Sequence, residues 1–256
     1  MVLKSFAWQW KKIVEVIKSM INLVKKAIKY GFRLIDIDIR KIPAYETNKF
    51  TWLKDYNINA IIDIGANVGQ FALEINKFLP DAKILSFEPL KDAYNELLKL
   101  SNRIKNLKTF NVALGDIDET KKIFKNKFSP SSSIMEMADL HKEAFPFTNE
   151  VNREEIIIKR LDYIVAQEEL KPEILIKLDV QGYEDKVIQG GMNTFKKATI
   201  VICEVSFYEL YKGQLLFNEI LDIFKNMGFV YKASINPGFH PKNGMPLFAD
   251  AIFIKV

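Results

Sequence analysis

The chain holds one cysteine, Cys203, and two histidines, His141 and His240, among its 256 residues. A single cysteine forms no internal disulfide. Cys203 lies within the apolar run Thr199 to Val205 and reads as a small buried hydrophobe of a reducing, cytoplasmic compartment. No uninterrupted apolar stretch approaches the ~18 residues needed to cross a bilayer, so neither a spanning helix nor a signal peptide is expected. The Gly-x-Gly-x-x-Gly turn of a dinucleotide oxidoreductase is missing, as are the Gly-x-Ser-x-Gly elbow of a hydrolase and the Asn-Pro-Pro-Tyr or Asp-Pro-Pro-Tyr run of base methylation. No internal repeat is evident. What remains, 48% hydrophobic and 27% charged residues, is the balance of a folded globular chain rather than a disordered one.

Basic charge is scarce where a nucleic-acid enzyme would need it. Through Lys41 the chain carries ten Lys or Arg against three acids, so the excess beyond Lys41 is two acids although the whole chain is +5. This distribution argues against a nucleic-acid substrate. Between Trp10 and Ile28 the apolar residues recur at helical spacing, with Lys11, Lys12, Lys18, Lys25, Lys26 and Lys29 on the other face. Residues 1–48 thus read as a basic amphipathic helical arm. Two roles stay open for it: packing on its own domain or on a second copy in a homodimer, or peripheral contact of residues 1–41, with Trp8 and Trp10, on an anionic inner membrane face.

After a connector with Pro43 and Asn48, residues 49–256 alternate short apolar runs with amphipathic helices. Strands are expected at Ala60 to Ile64, Lys83 to Phe87, Leu107 to Val112, Ile174 to Val180, Thr199 to Val205, Phe229 to Lys232 and Ala249 to Ile254. Helices are expected at Gly69 to Phe78, Leu90 to Leu100, Tyr183 to Lys197 and Leu215 to Met227. The fold class is therefore α/β, a seven-stranded, mostly parallel Rossmann-like sheet with helices on both faces and an antiparallel last strand. Only a loop, Ala233 to Phe248, separates the last two strands. An excursion at about 116–160, with Ser129, Pro130, Ser131, Ser132 and Ser133, shows no regular alternation until Glu155 to Arg160 and reads as a substrate-binding insertion or a structural one.

The first strand ends at Asp63 and runs through Gly65, Asn67, Gly69 and Gln70 into a helix. Gly65 permits a tight bend, and Gly69 permits close approach of a ligand to the backbone. An acid at the head of this turn disfavours a pyrophosphate but suits the amino group or sulfonium of S-adenosylmethionine. The next strand ends in Glu88 and Pro89, where a carboxylate can accept both ribose hydroxyls. Asn111, Ala113 and Leu114 at the third strand's tip are candidate adenine contacts.

Asp179 ends the fourth strand, followed by Gln181, Gly182 and Glu184. Ligands bind beyond the carboxyl ends of such strands, so Asp179 is a candidate to orient an acceptor hydroxyl or take its proton as well as to face the cofactor. Lys177 shares its face and needs Asp179 or Glu204 as a partner if buried. Glu204 is a second catalytic candidate. His141 and His240, in expected loops, are either solvated or general bases. A divalent cation between Asp179 and Glu204 is conceivable, but no third ligand is seen and no metal is expected.

Taken together, I-I-D-I-G-A-N-V-G-Q-F, F-E-P, N-V-A-L-G-D, S-S-S-I, R-L-D, I-K-L-D-V-Q-G-Y-E, P-G-F and D-A-I-F make the chain resemble the FkbM family of class I methyltransferases from about Asn59 onward. The resemblance implies methyl transfer from S-adenosylmethionine, leaving S-adenosylhomocysteine, to a hydroxyl of a small molecule or glycan. It implies Asp63, Gly65, Gly69 and Glu88 at the cofactor, with Asn111, Ala113 and Asp179. Pro237 to Phe239 are expected to supply an aromatic wall. The competing classes are a non-catalytic module on a nucleotide-binding fold and a membrane-associated scaffold organised by the arm.

Overall fold

The computed structural model describes residues 2–33, 49–126, 131–149 and 151–256, the side chains of residues 2–13 and of Arg33 excepted. Pro43, Asn48, Ser129, Pro130 and the side chains of Trp8 and Trp10 lie outside the described residues. The chain divides into two units, Met1–Lys49 and Phe50–Val256. The first is built on helix α1 (Val2–Arg33).

The second unit is centred on a seven-stranded sheet. Its strands are β1 (Ala60–Ile64), β2 (Lys83–Phe87), β3 (Leu107–Phe110), β7 (Ile174–Leu178), β8 (Ala198–Ser206), β9 (Phe229–Phe239) and β10 (Pro246–Lys255). Their spatial order is β3-β2-β1-β7-β8-β10-β9. All neighbours are parallel except those of β10, which runs antiparallel between β8 and β9. The chain winds outward from β1 to β3, then returns to lay β7 on the other side of β1. The crevice where the order reverses is where open α/β sheets bind ligands.

The central strands are apolar almost throughout because both faces are covered. Ile62, Ile64, Leu178, Val201, Cys203 and Phe253 point to one face, under α6 (Glu184–Gly190), α7 (Met192–Lys197) and α8 (Phe217–Asn226). Ile61, Ile84, Leu175, Ile200, Ile202 and Ile252 point to the other, under α2 (Gln70–Ile75), α3 (Lys91–Ser101) and a 3₁₀ turn at Thr51–Tyr56. Period-2 alternation thus feeds two cores from one sheet, each buried side chain contributing roughly 1.5–3 kcal/mol.

Three local expectations are corrected. The excursion is not irregular: β4 (Ala113–Leu114), β5 (Glu119–Asn126) and β6 (Val151–Lys159) form a second sheet, order β4-β6-β5, with helices α4 (Asp139–Ala144) and α5 (Leu161–Val165) at and beyond its end. It packs Ile123, Ile156 and Ile158 against Leu90 and Ala93, while its outer face stays wet and carries the charges that mask its alternation. The expected helix from Tyr183 to Lys197 is two helices that meet at Gly191. The expected loop between the last two strands is mostly strand, closed by a turn at residues 240–245.

Candidate active site

At its carboxyl end, the α2/α3 face of the sheet changes from apolar to polar. Two residues past Ile84, Ile61, Leu175 and Ile202 come Ser86, Asp63, Lys177 and Glu204, and Asp250 lies beside Glu204 in the antiparallel register. Alternation therefore places Ser86, Asp63 and Lys177 in one row along the lip of the crevice, with Glu204 and Asp250 on the same face one step beyond. Above the row lies a cavity of about 420 Å³ whose walls include Asp63, Gly65, Asn67, Gln70, Glu88, Ala113, Leu114, Asp179, Gln181 and Glu204. That size falls within the usual range for a small-molecule site.

The loop from β1 to α2 is held on both sides. Gly65 has φ +80, and a Cβ there would lie 1.8 Å from the Asp179 carbonyl oxygen, so only glycine lets the loop rest on the end of β7. Gly69 lies outside the cavity walls; with φ +89 it opens α2, and an added Cβ would lie 2.6 Å from the Leu100 side chain of α3. On the other side, Glu88 accepts the Asn67 amide at 2.9 Å and the Leu90 amide at 2.8 Å, one on each carboxylate oxygen. Each oxygen retains a lone pair for a further donor. Burial raises Glu88 to about 7 against the opposing pull of those two amides. Burial likewise raises Asp63 to about 7, the 3.0 Å hydrogen bond from Ser86 Oγ opposing it. Asn111 lies outside the cavity walls; its amide donates to the Glu88 and Pro89 carbonyls at 3.0 and 2.9 Å and so braces the loop that carries Glu88. Pro89 lines the cavity.

The opposite end of the cavity is a dense polar network. Lys177 Nζ lies 3.3 Å from Asp179 Oδ2 and 2.9 Å from Asp250 Oδ1. Burial pulls the ammonium pKa down, but the charges of Asp179 and Asp250 outweigh it and leave the pKa above the usual lysine value. Gln181, at φ +58, donates from Nε2 to Asp179 Oδ1 at 2.8 Å and to Glu204 Oε1 at 3.0 Å. Tyr211 fixes that orientation by donating to Gln181 Oε1 at 2.6 Å. Burial, reinforced by Asp179, raises Glu204 well above the carboxylate range and favours its neutral form. Glu184 accepts the Val180 and Gly182 amides at 3.0 and 3.3 Å and pins the turn that presents Gln181.

Neither histidine lines the cavity. His141 is on α4 rather than in a loop, buried between Thr148 and Tyr211, and burial lowers it to about 4. His240 is buried in the β9–β10 turn, where Nδ1 accepts the Lys242 amide. The Pro237 to Phe239 segment is also absent from the walls; Gly238 lies against the ring of Phe248, which does line the cavity. Ser131 and Ser132 line it too, and Ser133 donates to the Gln181 carbonyl at 2.6 Å. Sequence reasoning missed Tyr211 and Asp250. A lone acid in the apolar run of β10 was the available signal for Asp250; no pattern pointed to Tyr211. Among the described residues, no three His, Cys, Asp or Glu side chains converge as metal ligands.

Residues 63–231 match the methyltransferase FkbM domain, well over half of the chain. The chain belongs to the FkbM methyltransferase family. It is similar to the 2-O-methyltransferase NoeI of Sinorhizobium fredii, 28% identical over 181 residues that cover 66% of this chain and 72% of that protein. It is also similar to the methyltransferase sdnD of Sordaria araneosa, 28% identical over 153 residues; the match covers 51% of this chain and 59% of sdnD, under two thirds of that relative's length. Among solved structures, the FkbM methyltransferase of Methylobacillus flagellatus aligns with a TM-score of 0.46 at 11% identity, over 77% of this chain and 44% of that one. The span shared with the FkbM methyltransferase domain begins at Asp63 and takes in Glu88, Asp179, Gln181 and Glu204.

Proposed function

We propose that this methyltransferase uses S-adenosylmethionine and transfers its methyl group to a hydroxyl oxygen of a small molecule or glycan. The observation that carries the reading is one cavity with Glu88 at one end, Asp63 in the row beneath it and Asp179 beside Glu204 at the other end. The residues fit the cofactor: Glu88 has unused acceptor capacity on both oxygens for a ribose diol, and Asp63 offers a carboxylate to an amino group. Bound there, S-adenosylmethionine supplies a methyl group on a positively charged sulfur, open to in-line displacement.

The chain's own work is alignment and proton management. Asp179, with one oxygen held by Gln181 and the other by Lys177, orients the acceptor hydroxyl and takes its proton as the oxygen attacks. Glu204, neutral beside it, adds no second negative charge. Lys177 sets a positive charge 3.3 Å from that carboxylate. The relative named as a 2-O-methyltransferase supports oxygen as the accepting atom.

The test is transfer of a labelled methyl group from S-adenosylmethionine to a panel of hydroxylated acceptors, sugars included. Asp179→Asn should bind the cofactor within about twofold of wild type yet lose on the order of 100-fold or more in turnover, the usual scale for a lost general base. Full turnover by Asp179→Asn would remove Asp179 from this role.

A further inference from the structure

Helix α1 is not used by anything described so far. From Val14 to Phe32 its side chains segregate sharply: at about 100° per residue, the apolar ones fill an arc of roughly 200°, and Lys18, Asn22, Lys25, Lys26 and Lys29 share the narrower remainder with Glu15 and Ser19. Ile17, Met20, Ile21, Val24 and Ile28 are 47–62% exposed, far more apolar surface in one stripe than scattered surface residues give. The helix as a whole carries eight Lys or Arg and one acid, Glu15.

We infer that α1 lies along an anionic lipid surface, its wide apolar face sunk to the headgroup boundary and its lysines against the lipid phosphates. Width selects a bilayer over a partner helix: a two-helix seam covers a narrow stripe, whereas an interface plane accepts the whole arc. Charge selects it over a second copy, since two such helices bring like charges together with one acid each to offset them. The lysines bordering the apolar arc complement an anionic surface. Crossing the bilayer is not an option for α1, because no described helix is long and apolar enough. The inference goes beyond methyl transfer and stands whether or not that reading holds.

The full-length protein should float with vesicles of phosphatidylcholine containing phosphatidylglycerol, and only weakly with phosphatidylcholine alone. Each lysine near an anionic surface is worth roughly fivefold in partitioning, so changing Lys18, Lys25, Lys26 and Lys29 together to Gln should weaken flotation on the order of 100-fold or more. Ile17→Ser with Val24→Ser should also abolish it, while circular dichroism and the thermal melt of residues 50–256 within the same full chain stay unchanged. Failure to float with the anionic vesicles, equal flotation with neutral ones, or undiminished flotation of the quadruple variant would overturn the inference. So would a lipid-indifferent dimer in light scattering that Ile17→Ser with Val24→Ser converts to monomer.

Discussion

Lys177→Met removes a buried positive charge while nearly preserving side-chain length. Lys177 is 8% exposed and is the cation facing Asp179 and Asp250 at 3.3 and 2.9 Å. Removing one partner of a buried ion pair costs about 3–5 kcal/mol, because the charge left behind is uncompensated. The expected loss at pH 7.5 lies toward the lower part of that range, since Asp179 is a third exposed and keeps Gln181 as a donor, and Asp250 keeps Asn236. The cost should shrink on acidification. Without Lys177 the stranded carboxyls have raised folded-state pKa values, so the folded variant binds more protons than the unfolded chain. Its stability then falls as pH rises through that window and recovers as pH falls. Urea titrations from pH 5 to 8 measure this, and Asp250→Asn should restore part of the loss in the double variant. A Lys177→Met protein within about 1 kcal/mol of wild type at pH 7.5, with no pH dependence of the difference, would refute the reasoning.

Two further outcomes follow from the same geometry. Glu88 and Asp63 sit at about 7 without ligand, and ribose hydroxyls and an amino group favour their charged forms, so cofactor affinity should rise with pH. For each group that must ionise, affinity should be ~10-fold weaker at pH 6 than at pH 8, with proton release detectable as a buffer-dependent heat; affinity flat across pH 6 to 8 would contradict this. Tyr211→Phe removes the hydroxyl that orients Gln181 while leaving the cavity walls intact. It should cost roughly 1–2 kcal/mol in urea stability, leave cofactor affinity within about twofold, and slow methyl transfer about tenfold with a shifted pH profile; an unchanged rate and profile would deny it a positioning role.

The main sheet was legible because its strands are buried on both faces and read as short apolar runs with sharp polar ends. That Asp63, Glu88, Asp179 and Glu204 gather at the cavity was legible for the same reason, each being an acid where such a run stops. β5 and β6 were not, since Glu119–Asn126 and Val151–Lys159 bury few positions and fill the rest with charge. Asp250 belongs to a strand 73 residues from Lys177, and its pairing depends on β10 inserting beside β8, which local pattern does not specify. His141 drew attention as a scarce titratable residue, yet it supports Tyr211 from outside the cavity. Gly69 was legible as a required glycine, and its positive φ requires it; the α3 leucines it faces appear only in the packed structure.

The most direct measurement is calorimetric titration of the protein with S-adenosylmethionine and S-adenosylhomocysteine, repeated on Glu88→Ala. The methyltransferase reading calls for saturable binding of both, weakened on the order of 100-fold when the ribose-facing carboxylate is removed, with the variant still folded. Folded wild-type protein that binds neither ligand, or a Glu88→Ala variant that binds both as tightly as wild type, would contradict it.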